Sequence, residues 1–359
     1  MDLSRVHWID VAKALAVILV VVYHVRASMG YVFAAPSATS SAFWAEFNET
    51  ALPVRMPLFF LAAGFLAHTA IARPWRVVVK PRIVALLWPY VLWSLAFAAV
   101  AGFAYRPEKP FGYTLTRLVS LPFANSAYWF LLMLPLFFIL AKLLQRWAAA
   151  ALAVALVLAV AAPWLEAHVF NQMHWALVYG TTRIARYSFW YLLGCYGFRL
   201  LSRTSRVNPL LLLGGGGAAF AGLTLVAESL DLGAPLSFVL SVAGVTALIG
   251  LSIWAARFDA IRRASRYLSA RTLPIYLIHP MLIVILVLVV QRLGPPPSPA
   301  DPFAPLVVPL ISAACIAVSV IVYDRIRNTR AAWLFAPPSP TALRRRESPG
   351  EQTPSATAG

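Results

Sequence analysis

Long apolar runs alternate with short polar segments along almost the whole chain. A helix needs about 20 predominantly apolar residues to cross the hydrocarbon core of a bilayer. Runs of this kind occur at residues 8–27, 51–72, 82–104, 127–145, 148–165, 181–200, 208–228, 235–256, 272–293 and 303–324. The pattern predicts an all-α integral membrane protein with about ten transmembrane helices in one bundle.

Composition supports the same class. Of the 359 residues, 61% are hydrophobic and 12% are charged, whereas a soluble domain carries about 25% charged residues. This polar surface is too small to cover a soluble globule, so the lipid bilayer is the expected surrounding. The net charge of +17 is spread over short clusters between apolar runs, and we do not expect nucleic-acid binding.

The basic clusters predict the orientation of the helices. One loop type is rich in cations, for example at Arg73, Arg76 and Lys80, while the alternate loops hold acids such as Glu46 and Glu166. Cation-rich loops face the cytoplasm. An even number of spans then places both termini in the cytoplasm, which is the topology of a multi-pass protein of the inner (cytoplasmic) membrane.

The chain is expected to form one membrane domain, residues 1–330, followed by a disordered basic and Pro-rich cytoplasmic tail, residues 331–359. Residues 28–50, 105–126 and 164–180 are expected to be outer loops. Neither composition nor motif specifies an oligomeric state.

Metal and cofactor motifs do not stand out in the sequence. Cys195 and Cys315 lie inside apolar runs, where a lone cysteine usually packs as a small hydrophobe. The chain contains neither a His-Glu-x-x-His motif nor a Gly-rich phosphate loop. We therefore expect no metal site and no permanently bound cofactor.

The first apolar run carries three ionisable residues: Asp10, Lys13 and His24. Lys13 and His24 are eleven residues apart, which places them on nearly the same helix face, about 16 Å apart along the axis. Ionisable groups inside a membrane helix usually face a protein interior or a cavity. His24 could act as a general base. Alternatively, Asp10 and Lys13 mark the inner interface and His24 the outer one.

Two further groups of cations are candidates. Lys80 and Arg82, at the start of the third run, could clamp the phosphates of a nucleotide-containing donor or contact lipid headgroups. Arg183 and Arg186 lie on the side where cations are disfavoured. They could bind an anionic acceptor or pair with acids of the loops.

Polar and aromatic residues near two span ends complete the candidates. Asn125 and Trp129 could form a platform for a sugar ring, although an aromatic belt explains the tryptophan equally well. Tyr276 and His279 lie within the ninth run, where a second intramembrane histidine indicates a functional or hydrogen-bonding role.

Five motifs in this order resemble acyltransferase family 3. They are Asp10-x-x-Lys13-x10-His24, Met56-Pro57-Leu58-Phe59-Phe60 running to Gly64-Phe65, Arg82 running into Leu86-Leu87-Trp88-Pro89-Tyr90, Trp129-Phe130-Leu131, and Tyr276-Leu277-Ile278-His279. Lysine before the ten-residue gap and the Met-Pro-Leu-Phe-Phe run are most similar to the fucose 4-O-acetylase-like branch.

The resemblance implies an O-acyltransferase that moves an acyl group, commonly acetyl from acetyl-CoA, to a hydroxyl of a sugar or another cell-envelope acceptor. It implies that His24 is catalytic and that Lys13 belongs to the same motif. Lys13 and Asp10 are further catalytic candidates, because either could orient groups or meet an anionic donor. Arg82 fits the donor-binding pattern, while Val79 stands where the family has a second cation and Lys80 is the candidate substitute. Ala63 replaces the usual serine before Gly64.

The substrate-binding candidates are Trp129, Asn125, Arg186, Tyr276 and His279. A proton-coupled transporter or flippase is the alternative function, because intramembrane charges and ten spans also suit a carrier. Paired broken helices in an inverted repeat, which many carriers have, are not evident in the sequence.

Overall fold

The computed structural model describes residues 7–33, 38–296 and 303–338, and these residues form helices joined by short turns. The helices are α1 (His7–Val32), α2 (Ala38–Ala67), α3 (Trp75–Val79), α4 (Ala85–Tyr105), α5 (Pro110–Val119), α6 (Trp129–Leu143), α7 (Ala148–His168), α8 (Trp175–Tyr196), α9 (Phe198–Thr204), α10 (Pro209–Ser229), α11 (Gly233–Ala255), α12 (Asp259–Ser269), α13 (Thr272–Leu293) and α14 (Val307–Ile326). The predicted all-α class is confirmed.

Eight helical segments of the described part are long and apolar enough to cross a membrane. They are His7–Val32, Ser40–Ala67, Trp75–Tyr105, Gln145–Gln172, Pro209–Ser229, Gly233–Ala255, Thr272–Leu293 and Ala304–Ile326. Two of the predicted spans fall outside this set. One is α6, which is apolar but has only 15 residues, and the other is α8, which carries two arginines. The count of ten and the cytoplasmic termini stay predictions.

The first predicted outer loop is mostly helical. Within residues 28–50, α1 continues to Val32 and α2 already begins at Ala38. Composition suggested a loop because the segment is rich in Ser, Thr and Glu. Tertiary contacts favour the helix instead: the indole of Trp44 donates to the carbonyl oxygen of Pro305 at 3.0 Å. The second loop, 105–126, likewise contains α5.

The chain after α14 folds back onto α4. Residues Arg330–Leu334 form a 3-10 helix, and Phe335 is buried against Trp93 and Tyr323. The indole of Trp93 donates to the carbonyl oxygen of Leu334 at 2.8 Å. The sequence-based boundary of the tail at residue 331 is therefore too early, because a buried aromatic residue holds the segment. Residues 339–359 lie outside the described part of the chain.

Helix α1 occupies the centre of the bundle. It packs against α2, α11, α12, α13 and α14, and the residues Ala12, Ala16, Val17, Val21 and Val25 are completely buried. Small and β-branched side chains allow neighbouring helices to approach closely in a membrane. Three of its ionisable residues, Asp10, Lys13 and His24, are half-buried.

Two glycines bring α2 and α8 into backbone contact. A Cβ atom on Gly64 would lie 2.1 Å from the carbonyl oxygen of Tyr191, and one on Gly194 would lie 2.3 Å from that of Leu61. Only glycine fits at such distances. This close contact places the arginines of α8 beside the N-terminal half of α2.

Candidate active site

Two histidines from different helices meet inside the bundle. His24 is in the second half of α1 and His279 is in α13, and Nδ1 of His24 lies 3.2 Å from Nε2 of His279. His279 is completely buried, whereas His24 is partly exposed and lines a cavity. His279, predicted to bind substrate, is thus placed behind His24 and does not line that cavity.

Backbone carbonyls determine which ring nitrogens carry protons. Nδ1 of His279 lies 2.8 Å from the carbonyl oxygen of Ile275. A carbonyl only accepts, so this nitrogen is the protonated one, and Nε2 of neutral His279 is an acceptor. Nδ1 of His24 faces that acceptor and, at 2.9 Å, the carbonyl oxygen of Val20. It must therefore be the donor, which leaves the lone pair of neutral His24 on Nε2.

The cavity beside His24, here called the His24 cavity, has a volume of about 430 Å³. Its lining combines aromatic rings with charged groups. The lining side chains are Val20, Tyr23, His24, Leu52, Arg55, Met56, Trp129, Glu166, Asn171, Val178, Tyr179, Thr182, Arg183, Arg186, Tyr187 and Tyr276. Its size and mixture of polar and aromatic groups are those of a small-molecule site.

Besides His24 and Tyr276, three predicted residues lie in this lining and have further contacts: Trp129, Arg183 and Arg186. Arg186 forms a two-pronged ion pair with both carboxylate oxygens of Glu166. The guanidinium of Arg183 lies 4.3 Å from the centre of the Trp129 ring and donates to the carbonyl oxygen of Ala124. Pairing with an acid, one of the two expected roles, therefore applies to Arg186, although Glu166 belongs to the end of α7 and not to a loop.

Arg55 was not among the predicted site residues. It is 4% exposed, and its guanidinium lies 4.0 Å from the centre of the Tyr23 ring. The available signal was a cation just inside the predicted span 51–72, on the cation-poor side. The apolar Met-Pro-Leu-Phe-Phe run that follows is typical of helix packing and gives no indication of a binding site.

A second cavity, here called the Lys13 cavity, lies near the start of α1 and has a volume of about 310 Å³. It is lined by Lys13, Phe59, Ala63, Leu66, Pro81, Arg82, Leu86, Phe130, Leu131, Leu134, Phe138, Tyr191, Ser269, Ala270, Thr272, Leu273 and Tyr276. Two cations therefore face an otherwise mainly apolar pocket, an arrangement suited to an anionic molecule with an apolar arm.

Asp10 and Lys13 tie α1 to the end of α12. The ammonium of Lys13 donates to the carbonyl oxygen of Ser269 at 3.0 Å. The hydroxyl of the same serine donates to Asp10 at 2.7 Å. Lys13 lines its own cavity and not the His24 cavity, so the structure separates these two residues from His24, and their catalytic role stays a prediction.

Lys80 and Arg82 have different positions. Arg82 lines the Lys13 cavity and donates to the carbonyl oxygen of Leu66 at 3.0 Å, whereas Lys80 is exposed and outside the lining. Both belong to a π-helical turn, Lys80–Val84. Pro81 has no N–H to donate, and such turns occur frequently at functional sites.

Tyr276 is the residue that both cavities share. Its hydroxyl donates to the carbonyl oxygen of Ala127 at 3.1 Å and accepts from the backbone N–H of Phe130 at 3.3 Å. The side chain is thus fixed at the junction. Tyr276 thus forms part of the wall between the two cavities.

Asn125 takes no part in either cavity lining. It is buried, and its side-chain oxygen accepts from Arg117. The predicted sugar platform therefore retains Trp129 alone. Among the described residues, His, Cys, Asp and Glu side chains form no group of three or more that could hold a metal ion.

A known protein family matches nearly the whole chain. A family model described as an acyltransferase domain, that of acyltransferase family 3, matches residues 6–324, from the start of α1 almost to the end of α14. No curated protein and no solved structure matches the chain. The nearer resemblance to the fucose 4-O-acetylase-like branch stays a prediction.

Proposed function

The chain belongs to acyltransferase family 3, and on this premise we propose that it moves an acetyl group from acetyl-CoA to a hydroxyl of a sugar or another cell-envelope acceptor. The observation that carries the proposal is a histidine with a defined lone pair at the wall of a cavity. Nε2 of His24 is available to take a proton there, because Nδ1 is held by Val20 and His279.

We assign the donor to the Lys13 cavity. Coenzyme A has anionic phosphates and a long, thin arm, and the cavity combines Arg82 and Lys13 with an apolar lining. The predicted topology places this end of α1 on the cytoplasmic side, where acyl-CoA is available. The need for cytoplasmic acyl-CoA also supports the inner membrane as the location of the protein.

The acceptor is assigned to the His24 cavity, and the two substrates meet at Tyr276. Nε2 of His24 removes the proton from the acceptor hydroxyl, and the oxygen attacks the thioester carbonyl carbon. The carbon–sulfur bond breaks, and the proton on His24 passes to the departing thiolate. The products are the ester and free CoA.

His279 assists this step as a positioning residue. When His24 gains a proton, its imidazolium donates from Nδ1 to the neutral Nε2 of His279, 3.2 Å away. The same hydrogen bond prevents the other tautomer, whose lone pair would point away from the cavity. The arrangement favours transfer of the proton from the acceptor hydroxyl to Nε2 of His24.

The test uses purified protein in liposomes with radiolabelled acetyl-CoA and a panel of sugars. We expect His24→Ala to abolish transfer of label, and His168→Ala to retain it. His168 is the matched control because it is exposed and hydrogen-bonds only within α7.

Two outcomes would contradict the proposal. Full transfer by the His24→Ala protein would remove the catalytic assignment. Movement of a sugar across the membrane without consumption of acetyl-CoA would favour the alternative function, a carrier.

A further inference from the structure

The His24 cavity contains an excess of positive charge. Three arginines line it, Arg55, Arg183 and Arg186, against one acid, Glu166. Two of the arginines have strong partners within the protein. Arg186 is paired with Glu166, and Arg183 donates to the backbone at Ala124 and lies over Trp129.

Arg55 is different from these two arginines. It is 4% exposed, yet its Nη1 atom has no hydrogen-bond partner within the described part of the chain. Its guanidinium rests on the face of Tyr23, a contact that does not satisfy the N–H groups of Nη1. A buried charged donor without an acceptor is costly, so this arginine is a strong candidate for binding an anion.

The position of Arg55 places such an anion beside the proposed base. The ring of Tyr23, on which Arg55 stacks, has its centre 5.1 Å from that of His24, and all three side chains line the same cavity. The planar fork of a guanidinium matches the two oxygens of a carboxylate or a phosphate.

The acids in this region leave Nη1 of Arg55 without an acceptor. Glu166, in the same lining, is paired with Arg186, and four further acids line a different cavity. A neighbouring cavity of about 500 Å³ is lined by Glu46, Glu49, Glu228 and Asp231. It shares Arg186 with the His24 cavity. Arg186 thus stands between the two cavities, with four acids on one side and, on the other, Arg55 and the already paired Glu166.

We propose that the acceptor carries a carboxylate or phosphate group, which Arg55 binds while a hydroxyl of the same molecule faces His24. This inference rests on the proposed function and adds the chemical class of the acceptor. A neutral sugar would leave Nη1 of Arg55 buried without an acceptor, whereas an acidic sugar satisfies it.

The experiment compares matched acceptors in the liposome assay. The probes are a methyl glucuronide, glucose 1-phosphate and, as the neutral counterpart, a methyl glucoside. We expect kcat/KM to be about 10- to 100-fold higher for one of the two anionic sugars than for the glucoside, the range of a charge-assisted hydrogen bond. Which anion is preferred distinguishes a carboxylate from a phosphate.

Three variants assign the preference to Arg55. Arg55→Gln is expected to remove the preference, because it raises KM for the anionic sugar far more than KM for the glucoside. Arg55→Lys, which keeps the charge and loses the fork, is expected to retain an intermediate preference and controls for loss of folding. Arg292→Gln, at an exposed arginine at the end of α13, is expected to behave as the wild type.

A binding measurement separates this inference from the proposed function. The thermal midpoint of the wild type should rise with the preferred anionic sugar and not with the glucoside, and this rise should disappear in Arg55→Gln. This result would support the acceptor class even if no acetyl transfer occurred. Equal use of charged and neutral sugars, equal binding of both, or an equal loss for both in Arg55→Gln would overturn it.

Discussion

His24 and His279 lie 255 positions apart in the chain, and Nδ1 of the first is 3.2 Å from Nε2 of the second. Each ring also hydrogen-bonds through Nδ1 to the carbonyl oxygen four residues earlier in its own helix. The two helices therefore fix the orientation of both rings. They also make Nδ1 the protonated nitrogen of each ring, so that His24 donates to His279. The partly exposed His24 lines the cavity and carries its lone pair on Nε2, and the buried His279 holds its ring in place.

Removal of His279 is expected to lower kcat and leave KM nearly unchanged. In His279→Ala, Nδ1 of His24 loses one of its two acceptors, and the ring can rotate or change tautomer. Partners that orient a metal-bound imidazole are worth about 10- to 100-fold in activity, and we expect a loss of that size here. Steady-state kinetics with acetyl-CoA and an acceptor measures it.

The conservative variant distinguishes positioning from structural damage. His279→Gln supplies a side-chain oxygen that can accept from Nδ1 of His24, so part of the lost kcat should return. A Gln variant as inactive as the Ala variant, with normal unfolding temperature, would contradict the positioning role.

Substitution of Arg82 is expected to weaken donor binding much more than substitution of Lys80. Arg82 lines the Lys13 cavity, whereas Lys80 is exposed and lies outside its lining. Arg82→Gln should raise KM for acetyl-CoA by about tenfold or more, the value of one charged hydrogen bond. Lys80→Gln is the matched control with a small effect, and equal effects of the two would refute the assignment of the donor to this cavity.

Alanine at Gly64 is expected to separate α2 from α8. The new Cβ would lie 2.1 Å from the carbonyl oxygen of Tyr191, and backbone cannot move away cheaply. Overpacking of this kind costs about 1–3 kcal/mol, which a lower thermal midpoint in detergent would show. Gly217→Ala is the control, since no atom lies within 4 Å of its Cβ, and it should be neutral or stabilising.

Loss of the Tyr276 hydroxyl is expected to destabilise the junction of the two cavities. Tyr276→Phe leaves the backbone N–H of Phe130 and the carbonyl of Ala127 without this partner. Buried groups deprived of a partner cost about 1–3 kcal/mol. Chemical or thermal unfolding measures the loss, with Tyr31→Phe at an exposed position as the control; equal stability of the two proteins would contradict the prediction.

Several properties of this protein can be predicted from the amino-acid sequence alone. An excess of apolar residues in runs of bilayer length requires a membrane, because nothing else could bury them, and the structure confirms the all-α class. Lys13 and His24 share one helix face because a helix repeats every 3.6 residues. The ordered motifs indicated the family, which the match over residues 6–324 confirms.

Other properties depend on which helices touch. Helical periodicity places His24 and His279 on their own helices but cannot show that these helices pack side by side. The same holds for Asn125, which turns to Arg117, and for Lys80 and Arg82, which a π-helical turn directs to different surroundings. Only the packed bundle shows that Arg55 is buried in the wall of the cavity that His24 lines, because burial and hydrogen bonding are set by residues distant in sequence.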